Sequence, residues 1–206
     1  MSFVARSAAT DKCYYGVYSA IVTAVGDPKH PGEVRLRFDW FDPSMQTWCR
    51  VCNLYAGNKY GSFFHPEKDD EVLVAFMQGD MREPIVLGGL YNGKDKPPTV
   101  RDASKDEKVL RTKAGHQITL DDTKGKEKIV IVDKSGNNSI EIDAVANTIK
   151  ITATGKLTIS AKGVEIISDA GIDIKSKAAL TLKSDATVDA TASGAMTLKG
   201  SAINLN

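Results

Sequence analysis

From Asn147 onward the chain repeats a unit of eight residues: NTIKITAT, GKLTISAK, GVEIISDA, GIDIKSKA, ALTLKSDA, TVDATASG, AMTLKGSA and the partial INLN. Nearly every unit carries two apolar residues two apart. They are Ile149/Ile151, Leu157/Ile159, Val164/Ile166, Ile172/Ile174, Leu180/Leu182, Met196/Leu198 and Ile203/Leu205. Alternation with period two predicts strand, and self-similarity at a fixed period predicts a stacked, elongated architecture. Spacing drops to seven at Val164 and at Ile203 and rises to nine between Ile140 and Ile149, while Val188 pairs only with Ala190. These irregularities predict bulges or local narrowing, or a register one residue off near Ile166/Ile167.

Eight extended residues span at most ~26 Å, enough for one short strand and one corner. Three successive octads of one chain could form three walls of a β-helix, or three identical chains could each supply one wall. Two inward apolar side chains per unit are too few to stabilise a coil alone, and a single-chain helix of about three coils would leave its ends unprotected. The trimer is therefore the favoured closure, with the fourteen paired residues named above as its core.

Before the repeat, five runs read as strands. YYGVYSAIVTAV is the first. EVRLRFDWF alternates Val34, Leu36, Phe38 and Trp40 with Arg35, Arg37 and Asp39, the pattern of a half-buried strand. WCRVCNLY, EVLVAFM and EPIVLGGLY follow, with the long loop AGNKYGSFFHPEKDD between the third and fourth. Five strands with one long excursion predict a small closed barrel of oligonucleotide/oligosaccharide-binding (OB) type. HQITLDD and EKIVIVD, with turns TKGK and SGNN, predict a β-rich collar. The expected organisation is an arm (1–15), a barrel (16–92), a polar, proline-bearing linker (93–108), the collar (109–146) and the octad rod (147–206). All 14 aromatic residues lie at or before Tyr91 and all seven prolines at or before Pro98. That division fits a globular core followed by a narrow rod with no room for rings and no tolerance for a missing N–H.

Several of these residues carry a family resemblance. Gly32-Glu33-Val34-Arg35-Leu36-Arg37-Phe38-Asp39-Trp40, Trp48 with Arg50-Val51, Ala56-Gly57 and Gly61, Asp70-Glu71-Val72-Leu73-Val74-Ala75-Phe76, and Gly79-Asp80 followed by Pro84-Ile85-Val86-Leu87-Gly88 and Leu90-Tyr91-Asn92 occur in one order. With the rod behind them, they resemble the VgrG and gpV family, spike proteins of contractile phage tails, type VI secretion systems and related injection particles. The resemblance covers roughly Gly16 to Asn206. The chain departs from it at Lys68 or Asp69, where the family often has glycine, and at Met81, where it often has proline. Larger members carry an N-terminal hub-forming region, whereas about fifteen residues precede the barrel here. A stand-alone spike on a separate hub protein, or a fragment of a longer one, is expected.

The resemblance implies an all-β fold: an OB-fold barrel followed by an intertwined trimeric triple-stranded β-helix. It implies a homotrimeric central spike, not an enzyme, that punctures an envelope mechanically. Its expected partners are a baseplate hub at the N-terminal side, a PAAR-type tip protein at the C-terminal end and, transiently, the target membrane. Assembly in the cytoplasm and delivery outside the cell on contraction would follow.

The remaining chemistry is sparse. A net charge of +1 gives no bulk attraction to nucleic acid or anionic membrane. No run approaches a membrane span, and MSFVARSAATDKCYYG lacks a secretory apolar core. Cys49 and Cys52 form a C-x-x-C without a second ligand pair, so Cys13, Cys49 and Cys52 are expected as buried free thiols. His30, His65 and His116 build no His-x-His site. Asp121-Asp122 and Asp133 to Ser139 suit a hairpin turn better than calcium. No cofactor or metal is expected. Arg35 and Arg37 with Trp40, Tyr55 and Tyr60 outline the alternative: a nucleic-acid or glycan-binding barrel with a single-chain solenoid spacer, predicted to be a monomer.

Overall fold

The computed structural model describes residues 13–204, which hold twelve strands, one short 3₁₀ turn (Met77–Gly79) and no α-helix. The chain divides into two compact units, one ending at Lys156 and one beginning at Leu157.

The first unit opens with a barrel. Its long strands are β1 (Val17–Val25), β2 (Glu33–Phe38) and β3 (Asp42–Val51). A two-residue pair, β4 (Ala56–Gly57) and β5 (Tyr60–Gly61), interrupts the long loop. β6 (Glu71–Phe76) and β7 (Pro84–Gly89) complete it. The order β1-β2-β3-β7-β6 closes on itself, because β1 pairs with both β2 and β6, and β7 pairs in parallel with β3. Closure leaves no sheet edge along the five strands. A bulge at Thr23 lets β1 bend between its two partners.

The barrel core is built from alternate residues. Val22, Val34, Leu36, Phe38, Val72, Val74 and Val86 are fully buried, while Arg35, Leu73 and Leu87 point outward. Phe38 and Phe76 meet Tyr14, Tyr18 and Trp40 in an aromatic cluster at one end. Trp40 lies past the end of β2. It stacks on Tyr18 and donates its indole N–H to the Ser19 carbonyl.

One strand expectation shifts. β3 starts at Asp42, six residues before Trp48, and ends at Val51. Its first half, DPSMQ, has no apolar alternation to reveal it, yet it pairs with β2 through Phe38↔Asp42 and Arg37↔Gln46. Asp69, at one of the two positions where the resembling family often has glycine, is held at φ 76°, a left-handed conformation that glycine adopts without strain.

Beyond the barrel lies a five-stranded antiparallel meander: β8 (Glu107–Arg111), β9 (Gln117–Asp121), β10 (Lys128–Val132), β11 (Ser139–Asp143) and β12 (Thr148–Thr152). β8 begins inside the stretch expected as linker. β12 takes Ile149 and Ile151, the first octad pair, into this sheet. Lys113 in the β8–β9 turn reaches Glu67 of the barrel loop at 3.4 Å.

The second unit, described through Asn204, contains no strand among the described residues. A triple-stranded helix is not what one chain forms: its octads are segments without regular structure between bends.

Candidate functional site

Cross-strand registry in the meander gathers nine aliphatic side chains on one face. Directly opposed residues lie on the same side of a sheet. One row therefore reads Leu110, Ile118, Ile131, Ile140, Ile151, and the next reads Lys108, Leu120, Ile129, Ile142, Ile149. These aliphatics are 40% to 73% exposed. The other face mixes polar residues with Val109, Val130 and Val132, and part of it is the more buried: Thr119 is 8% and Asp121 9% exposed, against 41% for Ile118 and 45% for Leu120 between and beside them. An ordinary half-buried sheet has the opposite arrangement. Adjacent aliphatic rows of this extent, left two-fifths or more exposed, mark a contact surface.

The hairpins that set this registry are closed by carboxylates. Asp121 accepts from the Thr123 N–H, and Asp143 from the N–H groups of Val145 and Ala146. Asp133 accepts from Ser135 and from the Asn138 side chain, which hold its carboxyl down from its ordinary 3.8 to about 2. Asn138 in turn accepts from the Thr154 N–H, fixing the chain as it leaves β12.

In the second unit the bends fall at Thr154–Gly155, Lys162, Asp169–Ala170, Lys177–Ala178, Asp185–Ala186, Ser193–Gly194 and Ser201. Each apolar pair sits two and four residues past the last bend residue, Val188/Ala190 included. The two seven-residue gaps follow the two one-residue corners, Lys162 and Ser201, so they are narrow corners rather than bulges. The nine-residue gap is the β11–β12 hairpin. Serine closes three successive corners. Ser168 Oγ donates to the Gly171 carbonyl, Ser176 Oγ to the Ala179 carbonyl, and Ser184 Oγ accepts from the Ala186 N–H.

Leu157, Ile159, Val164, Ile166, Ile172, Ile174, Leu180, Leu182, Met196, Leu198 and Ile203 are 53% to 77% exposed, and Leu205 lies outside the described residues. Within each octad, extended backbone puts the two members of a pair on one side.

The other candidates are scattered. Cys49 is buried, and desolvation, then Glu33, pushes its thiol up to about 12. Cys13 and Cys52 are exposed, so the expectation of three buried thiols holds for one. The C-x-x-C is split because Cys52 falls just past β3. His30 stacks on Trp48 and bonds Glu33, His65 stacks on Phe63, and His116 accepts from the Lys134 N–H. Among the described residues no His/Cys/Asp/Glu group is placed to hold a metal ion, and no helix is long and apolar enough to cross a membrane. The proposed nucleic-acid platform is not assembled. Arg37 is bidentate on Asp39, Trp40 belongs to the Tyr18 cluster, and Tyr55 and Tyr60 pack on each other.

Two features escaped sequence reasoning. The barrel loop exposes Leu54, Tyr55, Tyr60, Phe63 and Phe64, above a cleft of about 840 Å³ lined by Val25, Gly88, His65 and Lys113. Lys108 occupies a position in an otherwise aliphatic row, which only the β8–β9 pairing reveals.

Comparison with known proteins bears on the barrel first. Residues 18–91 match the family described as the type VI secretion system/phage-baseplate injector OB domain. The type VI secretion system spike protein VgrG5 of Pseudomonas aeruginosa is 29% identical over 62% of this chain and 18% of its own length. VgrG1a of the same organism is 29% identical over 55% of this chain and 20% of its own. The actin cross-linking toxin VgrG1 of Vibrio cholerae is 31% identical over 48% of this chain and 10% of its own. The chain thus spans a fifth or less of these relatives.

Proposed function

As a VgrG/gpV-type spike protein, recognisable by its injector barrel, this chain, we propose, assembles as a homotrimer and serves as the central spike of a contractile injection machine. The observations that carry this reading are two exposed apolar ladders, each two residues wide, one on the five meander strands and one along the described octads. Such a ladder needs cover along its whole length, and a matching ladder on a second copy has the same width and spacing. Three walls of one strand each enclose two inward side chains per chain per layer, a prism narrow enough to stay dry. Main-chain hydrogen bonds between copies would satisfy the N–H and C=O groups of the octads, which extended segments cannot satisfy alone.

The work would be mechanical rather than catalytic. A continuous apolar axis and interchain ladder hydrogen bonds resist bending, so a thrust applied at the barrel end is delivered over a small area. Serine, threonine, lysine and aspartate on the outer face keep the prism in solution and discourage sideways pairing. The barrel end would dock on a baseplate hub and the C-terminal end would seat a PAAR-type tip protein. Cytoplasmic assembly and export on contraction belong to the same reading.

Sedimentation of the purified chain tests it. We expect three times the mass of one chain at micromolar concentration. A single folded chain in dilute solution would overturn the proposal.

A further inference from the structure

Of the twelve two-apart pairs that make the ladder, five on strands and seven in octads, one contains a charge. It is the first, Lys108/Leu110 on β8. Lys108 lies directly opposite Leu120, with a half-exposed side chain. Its ammonium is held by two carboxylates of the same chain, Asp106 at 2.9 Å and Asp122. Asp106 is also paired with Arg101, at 3.1 Å. Backbone pairing of Asp122 N–H with the Asp106 carbonyl sets these acids side by side, two residues beyond the Lys108–Leu120 pair. The ion cluster therefore forms the first layer of the ladder, and every later layer is uncharged.

Later layers are nearly interchangeable. Ile, Leu and Val pairs repeat with little to distinguish one rung from the next, so apolar matching alone leaves the axial stagger between copies poorly specified. A charged residue at one inner position removes that degeneracy, as a single polar residue does at the seam of a coiled coil, and lowers stability in exchange for a defined register. A slip by one rung in either direction lays one copy's cluster of Asp106, Lys108 and Asp122 against a neighbour's Ile118/Leu120 rung. That contact strips water from three charges and offers no new partner. In the aligned state the clusters meet one another at the end of the seam.

We propose that Lys108, with Asp106 and Asp122, is the register-specifying element of the assembly. This inference rests on the trimeric reading above. The test uses full-length chains with Cys13 and Cys52 replaced by serine and one reporter cysteine each, L110C or I118C, two positions of one row. The two are mixed, refolded together and oxidised. With Lys108 present, disulfides should be homotypic, 110 to 110 and 118 to 118. In the K108I background the trimer should melt higher, and heterotypic 110–118 disulfides should rise several-fold. K108R should behave as the parent. Purely homotypic disulfides in a K108I trimer would overturn the proposal, because the stagger would then be set elsewhere. Loss of assembly in K108I would also overturn it, since an uncharged rung is expected to strengthen the seam. A parent chain that sediments as a monomer would sink the trimeric reading itself, a different failure.

Discussion

Strand β2 and strand β11 carry the same pattern and meet opposite fates. In β2, Val34 and Leu36 alternate with Arg35 and Arg37, and the aliphatic pair is wholly buried because the barrel closes over it. In β11, Ile140 and Ile142 alternate with Ser139, Glu141 and Asp143, and the isoleucines remain two-fifths exposed. Alternation fixes which side of a strand is apolar, but it does not say what covers that side. The barrel brings its own cover by curling, while the meander and the octads present a flat or extended ladder that one chain cannot roll up. The lesson is that self-sufficiency is a property of closure rather than of composition.

The sharpest way to break the comparison is to put a charge in each region's apolar set. Ile174→Asp would bury three carboxylates around one axis, an expense of several kcal/mol per copy. We expect the trimer mass to vanish in sedimentation while the barrel still melts cooperatively. Unchanged size and heat resistance would show that Ile174 does not face inward. Next in size is Phe38→Ala in the barrel core, which should cost ~3–5 kcal/mol by cavity formation. Here the barrel transition should fall in calorimetry and the oligomer mass should persist, the reverse of the first outcome.

An acid titration separates the regions more gently. The folded-state value of Asp133 is depressed to about 2 from 3.8. Its contribution is therefore fully present above pH ~4 and is lost as pH falls through ~2. Asp133→Asn should flatten the acid limb of the meander's stability without touching that of the barrel. An unchanged limb would place the titrating group elsewhere. Smallest of all, Lys175→Ala and Lys183→Ala should shift the melting temperature negligibly, within ~0.5 kcal/mol, because both lie on the outer side of their octads. A large loss at either would mean the inner and outer faces are exchanged.

The difference between regions also explains what could be read from the chain in advance. Paired residues such as Leu180/Leu182 and the alternation of Val34/Leu36 announce strands because periodicity is local. The octad gaps were visible at Val164 and Ile203, but their cause was not, since a corner one residue narrower leaves the same trace as a bulge. The first half of β3 was silent: Asp42 and Gln46, both polar, are its pairing positions with β2. Lys108 was equally silent. Its importance comes from Leu120, twelve residues away, and only pairing geometry brings the two together. A departure from the family's usual glycine was visible at Lys68 or Asp69 without showing which, and Asp69 is the one held at a positive φ, 76°.

The three serine-closed corners have a kinetic consequence. Ser168, Ser176 and Ser184 shape their turns within a single polypeptide, before any neighbour arrives. The meander likewise completes its own ladder alone. A newly made chain thus holds a folded meander and a pre-creased ribbon, and in the proposed trimer association would have only to zip three such ribbons together. Zipping of that kind nucleates once and runs in one direction, so the finished shaft should form slowly at low concentration and, once made, come apart more slowly still.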